Sequence, residues 1–146
     1  MLERTYFAFS HKLNLFYLLD RWLNPYKFSE KILMNDKSLE VSWTKRANQV
    51  LSQRNYPLFV EMQIFFSCVV KKRVLFHDSC EHESQFVSDN LRVLIRPVEA
   101  ASCDPVEFAK NYPEKRELES SKAIKMRARS LSIDYINGEW VGEFFI

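Results

Sequence analysis

The apolar positions change period along the chain, and each change marks out an element. Over residues 11–23, Leu15, Leu18, Leu19, Trp22 and Leu23 recur at helical spacing and predict a helix that stops before Pro25. Ahead of it, Thr5–Phe9 reads as a short strand, because Tyr6, Phe7 and Phe9 favour a pleated surface. Trp43, Ala47, Val50 and Leu51 fall at i, i+4, i+7 and i+8. They predict a second helix over 42–54, capped by Ser42 and ending before Pro57.

A period of two then takes over. From 58 to 70 the even positions are Leu58, Val60, Met62, Ile64, Phe66, Cys68 and Val70, all apolar. The odd positions mix Phe59, Glu61, Gln63, Phe65, Ser67 and Val69, as in a strand with one dry face and one mixed face. Continued to Phe76, the run is too long for one strand of about 3–10 residues. A break is expected near Lys71-Lys72, and a bulge is preferred to a tight turn because neither Gly nor Asn is present there. Leu91–Val98 is another strand. Asp104-Pro105-Val106-Glu107 carries the cap, first-turn proline and acid of a helix start, and that short helix ends before Pro113. Residues 114–126 fit either helix or strand.

The C-terminal stretch is plainer. Residues 123–136 and 139–146 are strand-like runs separated by Asn137-Gly138, a pair tolerant of positive φ and a strong hairpin signal. Gly142 in the returning strand implies a bulge or the close approach of a neighbouring ring. About four or five strands and about three helices, without strict βαβ alternation, predict an α+β fold. Its antiparallel sheet is packed by the helices and ends in a C-terminal β-hairpin. Without internal repeats or low-complexity linkers, residues 1–146 read as a single globular domain.

Composition narrows the function more than the fold. Hydrophobic residues make up 47% and aromatics 14%, with 12 Phe, enough to build a ring-rich core. There are only two glycines, so neither a GxGxxG nor a GxxxxGK[ST] phosphate cradle can be written, and a G-x-S-x-G elbow is absent. Dinucleotide-binding, P-loop and α/β-hydrolase chemistries drop out. The net charge of +2 is divided unevenly: residues 1–56 hold nine bases against five acids, and residues 57–146 hold twelve against fourteen. Cys68, Cys80 and Cys103 are odd in number and irregularly spaced, which predicts reduced thiols and a cytoplasmic setting. Neither a signal peptide nor an apolar run of about 20 residues is visible, so no membrane association is expected.

Four candidate sites remain. His77, Cys80 and His82 gather imidazole and thiolate, the ligands zinc takes, within six residues. The spacing matches no standard zinc module, and a polar loop is the preferred reading. A basic stripe is the second: Lys125, Arg127 and Arg129 share a face of an extended segment, as do Arg92 with Arg96 and Lys71 with Arg73. If those strands are neighbours in register, the cations line one sheet surface that suits an anionic ligand or nucleic acid. Solvated cations paired with glutamates are the plainer account. Thiol catalysis at Cys80, beside two histidines, or at Cys103, at a helix start, is the third. The N-terminal aromatic helix is the fourth, with core packing as the default and a homodimer face as the other possibility. Two function classes follow: a small soluble non-enzymatic binding or interaction protein, which is preferred, and a small metal- or thiol-dependent enzyme centred on His77, Cys80 and His82.

Overall fold

The computed structural model describes residues 15–66, 70–100, 115–117 and 128–146. The chain is α+β, with two helices and two mixed sheets among these residues. In order they are α1 (Leu15–Leu23), β1 (Phe28–Met34), β2 (Lys37–Trp43), α2 (Lys45–Ser52), β3 (Leu58–Phe66), β4 (Val70–His77), β5 (Gln85–Ser88), β6 (Leu91–Ala100), β7 (Lys115–Glu117), β8 (Ser130–Ile136) and β9 (Glu139–Phe145).

Two hairpins make the four-stranded sheet, in the order β1-β2-β8-β9. Asn137 (φ 52°) and Gly138 (φ 78°) turn the second one, as the sequence predicts. The first turns at Asn35 (φ 51°) and Asp36 (φ 63°), and Met34 pairs with Lys37 directly across it. Asn and Asp tolerate this left-handed region better than other side chains, which is why a turn forms here without glycine. The inner strands β2 and β8 run parallel, with Val41 opposite Leu131 and Trp43 opposite Ile133.

The five-stranded sheet runs β4-β3-β6-β5, with β7 also paired to β6. Here the chain departs from the expected bulge. It reverses after Phe66, which pairs with Val70, so β3 and β4 form a hairpin instead of one bent strand. The long apolar run belongs to two antiparallel neighbours, both facing the same core. β3 and β6 are parallel, with Leu58 opposite Leu91 and Val60 opposite Val93. A single antiparallel sheet is therefore corrected to two mixed sheets, each with one parallel pair at its centre.

The two sheets pack face to face around one cluster. It takes Leu39, Val41 and Trp43 from β2, the even positions Leu58–Ile64 of β3, Leu91 and Val93 of β6, Leu131 and Ile133 of β8 and Phe144 of β9. At Gly142, β9 comes close to the other sheet: an added Cβ would lie 3.0 Å from Val74 Cγ1 and 3.1 Å from Phe76 Cζ. The strand register continues through Gly142 without a shift, so close packing by Val74 and the Phe76 ring accounts for this glycine.

The second helix is shorter than predicted. Trp43 ends β2, and Thr44 instead of Ser42 caps α2, its hydroxyl accepting the Ala47 N–H at 3.2 Å. Asn90 donates from its side chain to the carbonyls of Leu51 and Arg54 (2.7 and 3.0 Å), tying the end of α2 to the β5–β6 turn. The expected strand at 5–9, residues 11–14 of the first helix and the helix beginning at Asp104 lie outside the described residues, as do 118–126 of the ambiguous segment. Residues 115–117 form β7.

Candidate functional site

Alternation on β3 turns Phe59, Glu61, Gln63 and Phe65 away from the inter-sheet core, onto the outer face of the five-stranded sheet. The cross-strand register places His77 and Arg92 beside Phe59, Arg73 and Arg96 beside Gln63, and Lys71 beside Phe65. Four of the seven predicted anion-binding cations thus share one face: Lys71, Arg73, Arg92 and Arg96. Lys125 and Arg127 lie outside the described residues. Arg129 precedes β8 of the other sheet and is exposed.

Arg73, Arg92 and Arg96 have polar partners within the chain. Glu61 and Gln63 are buried at the centre of the face. Arg96 Nη1 donates to Glu61 Oε1 at 3.0 Å, Gln63 Nε2 donates to Glu61 Oε2 at 2.7 Å, and His77 Nε2 lies 3.4 Å from the same oxygen. Arg73 Nε donates to Gln63 Oε1 at 2.7 Å, and its guanidinium lies over the Phe65 ring. Arg92 bonds the Ser84 hydroxyl at 3.0 Å. Burial pushes the Glu61 pKa up, but the hydrogen bonds from Arg96 and His77 prevail and hold the carboxyl below its usual range.

Of the metal and thiol candidates, His77 touches this network through Glu61. His77 ends β4 beside Glu61, His82 is exposed in the following loop, and Cys80 is a half-buried free thiol. Among the described residues, no group of three His, Cys, Asp or Glu side chains is placed to hold a metal ion. Cys68 and Cys103 lie outside those residues. No described helix is long and apolar enough to cross a membrane.

A second constellation escaped the sequence reading. Asp134 on β8 is only 1% exposed, on the outer face of the four-stranded sheet. Arg46 of α2 grips it bidentately (Nε to Oδ1 2.8 Å, Nη2 to Oδ2 2.7 Å) and grips Asp20 of α1 in the same manner (3.0 and 2.8 Å). Thr44 Oγ1 donates to Asp134 Oδ1 at 2.5 Å, and the Tyr135 N–H donates to the same oxygen at 2.7 Å. Arg21 of α1 reaches Asp134 Oδ2 at 3.2 Å and stacks on the Tyr26 ring 4.1 Å away. Burial opposes ionisation of Asp134, but the hydrogen bonds from Arg46, Thr44 and the backbone outweigh it and depress its pKa. Hydrogen bonding from Arg46 depresses that of Asp20.

This network fixes which way α1 faces. The half-buried residues at its foot are Tyr17, Asp20, Arg21 and Asn24, at i, i+3, i+4 and i+7. Leu15, Phe16, Leu18, Leu19, Trp22 and Leu23 all point outward, with Phe16 79% and Trp22 76% exposed. No residue of α1 is fully buried. The helix stands with its polar side in and its apolar side out. The sequence signal was present, since Asp20 and Arg21 interrupt the apolar run one turn after Tyr17, but periodicity cannot tell which stripe meets the protein.

Comparison of the chain with protein-family models, with curated proteins and with solved structures gave no match.

Proposed function

We propose that this is a non-enzymatic interaction protein whose binding surface is the apolar face of α1. The supporting observation is the inverted helix. A globular protein ordinarily turns the apolar stripe of a surface helix inward. Here ion pairs from Asp20 and Arg21 take that place, and six large apolar side chains are left on the outside. A face of that kind, held rigidly, loses little freedom when a partner covers it. The test is mutational. Leu19→Ser should leave unfolding stability within about 0.5 kcal/mol, as for a surface position, whereas Leu58→Ala in the core should cost about 2–5 kcal/mol. A core-sized loss at Leu19 would refute the reading.

One observation favours a second role. Lys71, Arg73, Arg92 and Arg96 bring four positive charges to one sheet face. An anionic ligand, such as single-stranded nucleic acid, would gain by meeting them. Filter binding of an oligonucleotide at two salt concentrations tests this. Four phosphate contacts imply a slope of log K against log salt of about −3. Binding weaker than millimolar, or indifferent to salt, would remove this role.

A further inference from the structure

We infer that the occupant of the apolar face is a second copy of this chain, joined through an antiparallel pair of α1 helices about a twofold axis. This rests on reading that face as a binding surface and names its partner.

Three features carry it. The first is area. At their observed exposures, the six outward side chains present on the order of 800 Å², about what each partner contributes to a specific interface of standard size and more than a typical monomer leaves in its largest apolar patch. That exposed area is the most this face could bury in a symmetric contact.

The second is self-complementarity. At roughly 100° per residue, Leu15, Phe16, Leu18, Leu19, Trp22 and Leu23 span an arc of about 160°, opposite the docked Tyr17, Asp20, Arg21 and Asn24. An antiparallel pair centred on Leu19 sets Leu15 against Leu23 of the partner subunit, Phe16 against Trp22 of the partner subunit, and Leu19 against Leu19 of the partner subunit. These opposed pairs are apolar, as an isologous interface favours, while Leu18 falls level with Asp20 of the partner subunit, whose carboxylate is held by Arg46 of its own chain.

The third is charge. Asp20 and Arg21, the two ionisable side chains of opposite sign in α1, are turned toward Arg46 and Asp134 of their own chain. Two copies can approach without setting like charges against each other.

Sedimentation equilibrium of the full chain from 1 to 200 µM tests the inference. A dimer that dissociates on dilution is expected. Leu15→Glu and Leu23→Lys should each shift the dimer to monomer by at least tenfold in dissociation constant, and an equimolar mixture of the two should recover most of the lost association. That recovery reads the antiparallel register and cannot come from a general loss of folding. A wild-type chain monomeric at 200 µM overturns the inference, as does a dimer that neither substitution weakens or that mixing fails to restore. Urea midpoints of both variants, measured at 1 µM, separate this failure from the failure of the parent reading. If they match wild type, the face is still a binding surface and its occupant is a different protein. If both variants unfold as core substitutions do, the stripe is structural and the parent reading fails as well.

Discussion

The two helices are nearly the same length, eight and nine residues, and they face opposite ways. α2 buries Ala47 and Leu51 in the core and leaves Lys45, Gln49 and Ser52 exposed. α1 sets its polar residues against the sheet and turns leucines, Phe16 and Trp22 outward. α2 is held by apolar burial, by the Thr44 cap and by Asn90. α1 is held by charge-assisted hydrogen bonds to Arg46 and Asp134. The pairing shows that amphipathicity sets the existence of a helix, while its docking depends on which partners the rest of the fold supplies. In this fold Asp134 is buried beside α2, and it needs cations. Arg46 and Arg21 provide them, and with Arg21 comes the polar face of α1.

The largest test of this contrast is Asp134→Asn. It leaves Arg46 and Arg21 beside a buried neutral amide and should cost about 3–5 kcal/mol in urea unfolding, the range for removing one partner of a buried ion pair. It should also detach α1, seen as faster hydrogen exchange at 15–23 than at 45–52. Equal exchange in the two helices would show that α1 is held by something other than this network. Next comes a matched pair, Leu51→Ala and Leu19→Ala. The first should cost about 2–4 kcal/mol by opening a cavity. The second should stay within about 0.5 kcal/mol at concentrations where the chain is monomeric. Equal losses would erase the distinction between the helices.

A pH series gives a smaller effect. The folded pKa values of Asp20 and Asp134 lie below their ordinary 3.8, so the stability they contribute is fully present above that value. It is lost as the pH falls through the lowered folded values. Thermal midpoints should therefore hold steady from pH 7 to about 5 and fall below about 4. In Asp134→Asn the acid loss should be smaller, and an undiminished loss would assign acid lability to other carboxylates, Glu61 first.

The sequence made parts of this architecture legible. The Asn137-Gly138 turn and the dry parity of β3 follow from short-range rules, whereas at Gly142 those rules allow a bulge or a close neighbour, and the packing of β4 decides between them. β1 and β2 were hidden because their turn is Asn35-Asp36 and contains no glycine, and because Trp43 fits a helical stripe as well as a strand end. The parallel pairs β2–β8 and β3–β6 are contacts between distant segments, on which local periodicity is silent. At the candidate sites, the sharing of a face by Lys71, Arg73, Arg92 and Arg96 was legible from strand parity once neighbourhood was assumed. Their partners Glu61, Gln63 and Ser84 were not, because hydrogen bonding between strands depends on register. Asp134 was least visible: nothing in Ser132-Ile133-Asp134-Tyr135 distinguishes a buried carboxylate from a solvated one.

The orientation of α1 is open to direct measurement by hydroxyl-radical footprinting of the native chain below its association range. With α1 docked by Asp20 and Arg21, Phe16 and Trp22 should be oxidised many times faster than the buried Trp43 and Phe144. Protection of Phe16 and Trp22 equal to that of Trp43 in the monomer would mean that the apolar face of α1 is turned inward, and would contradict the account.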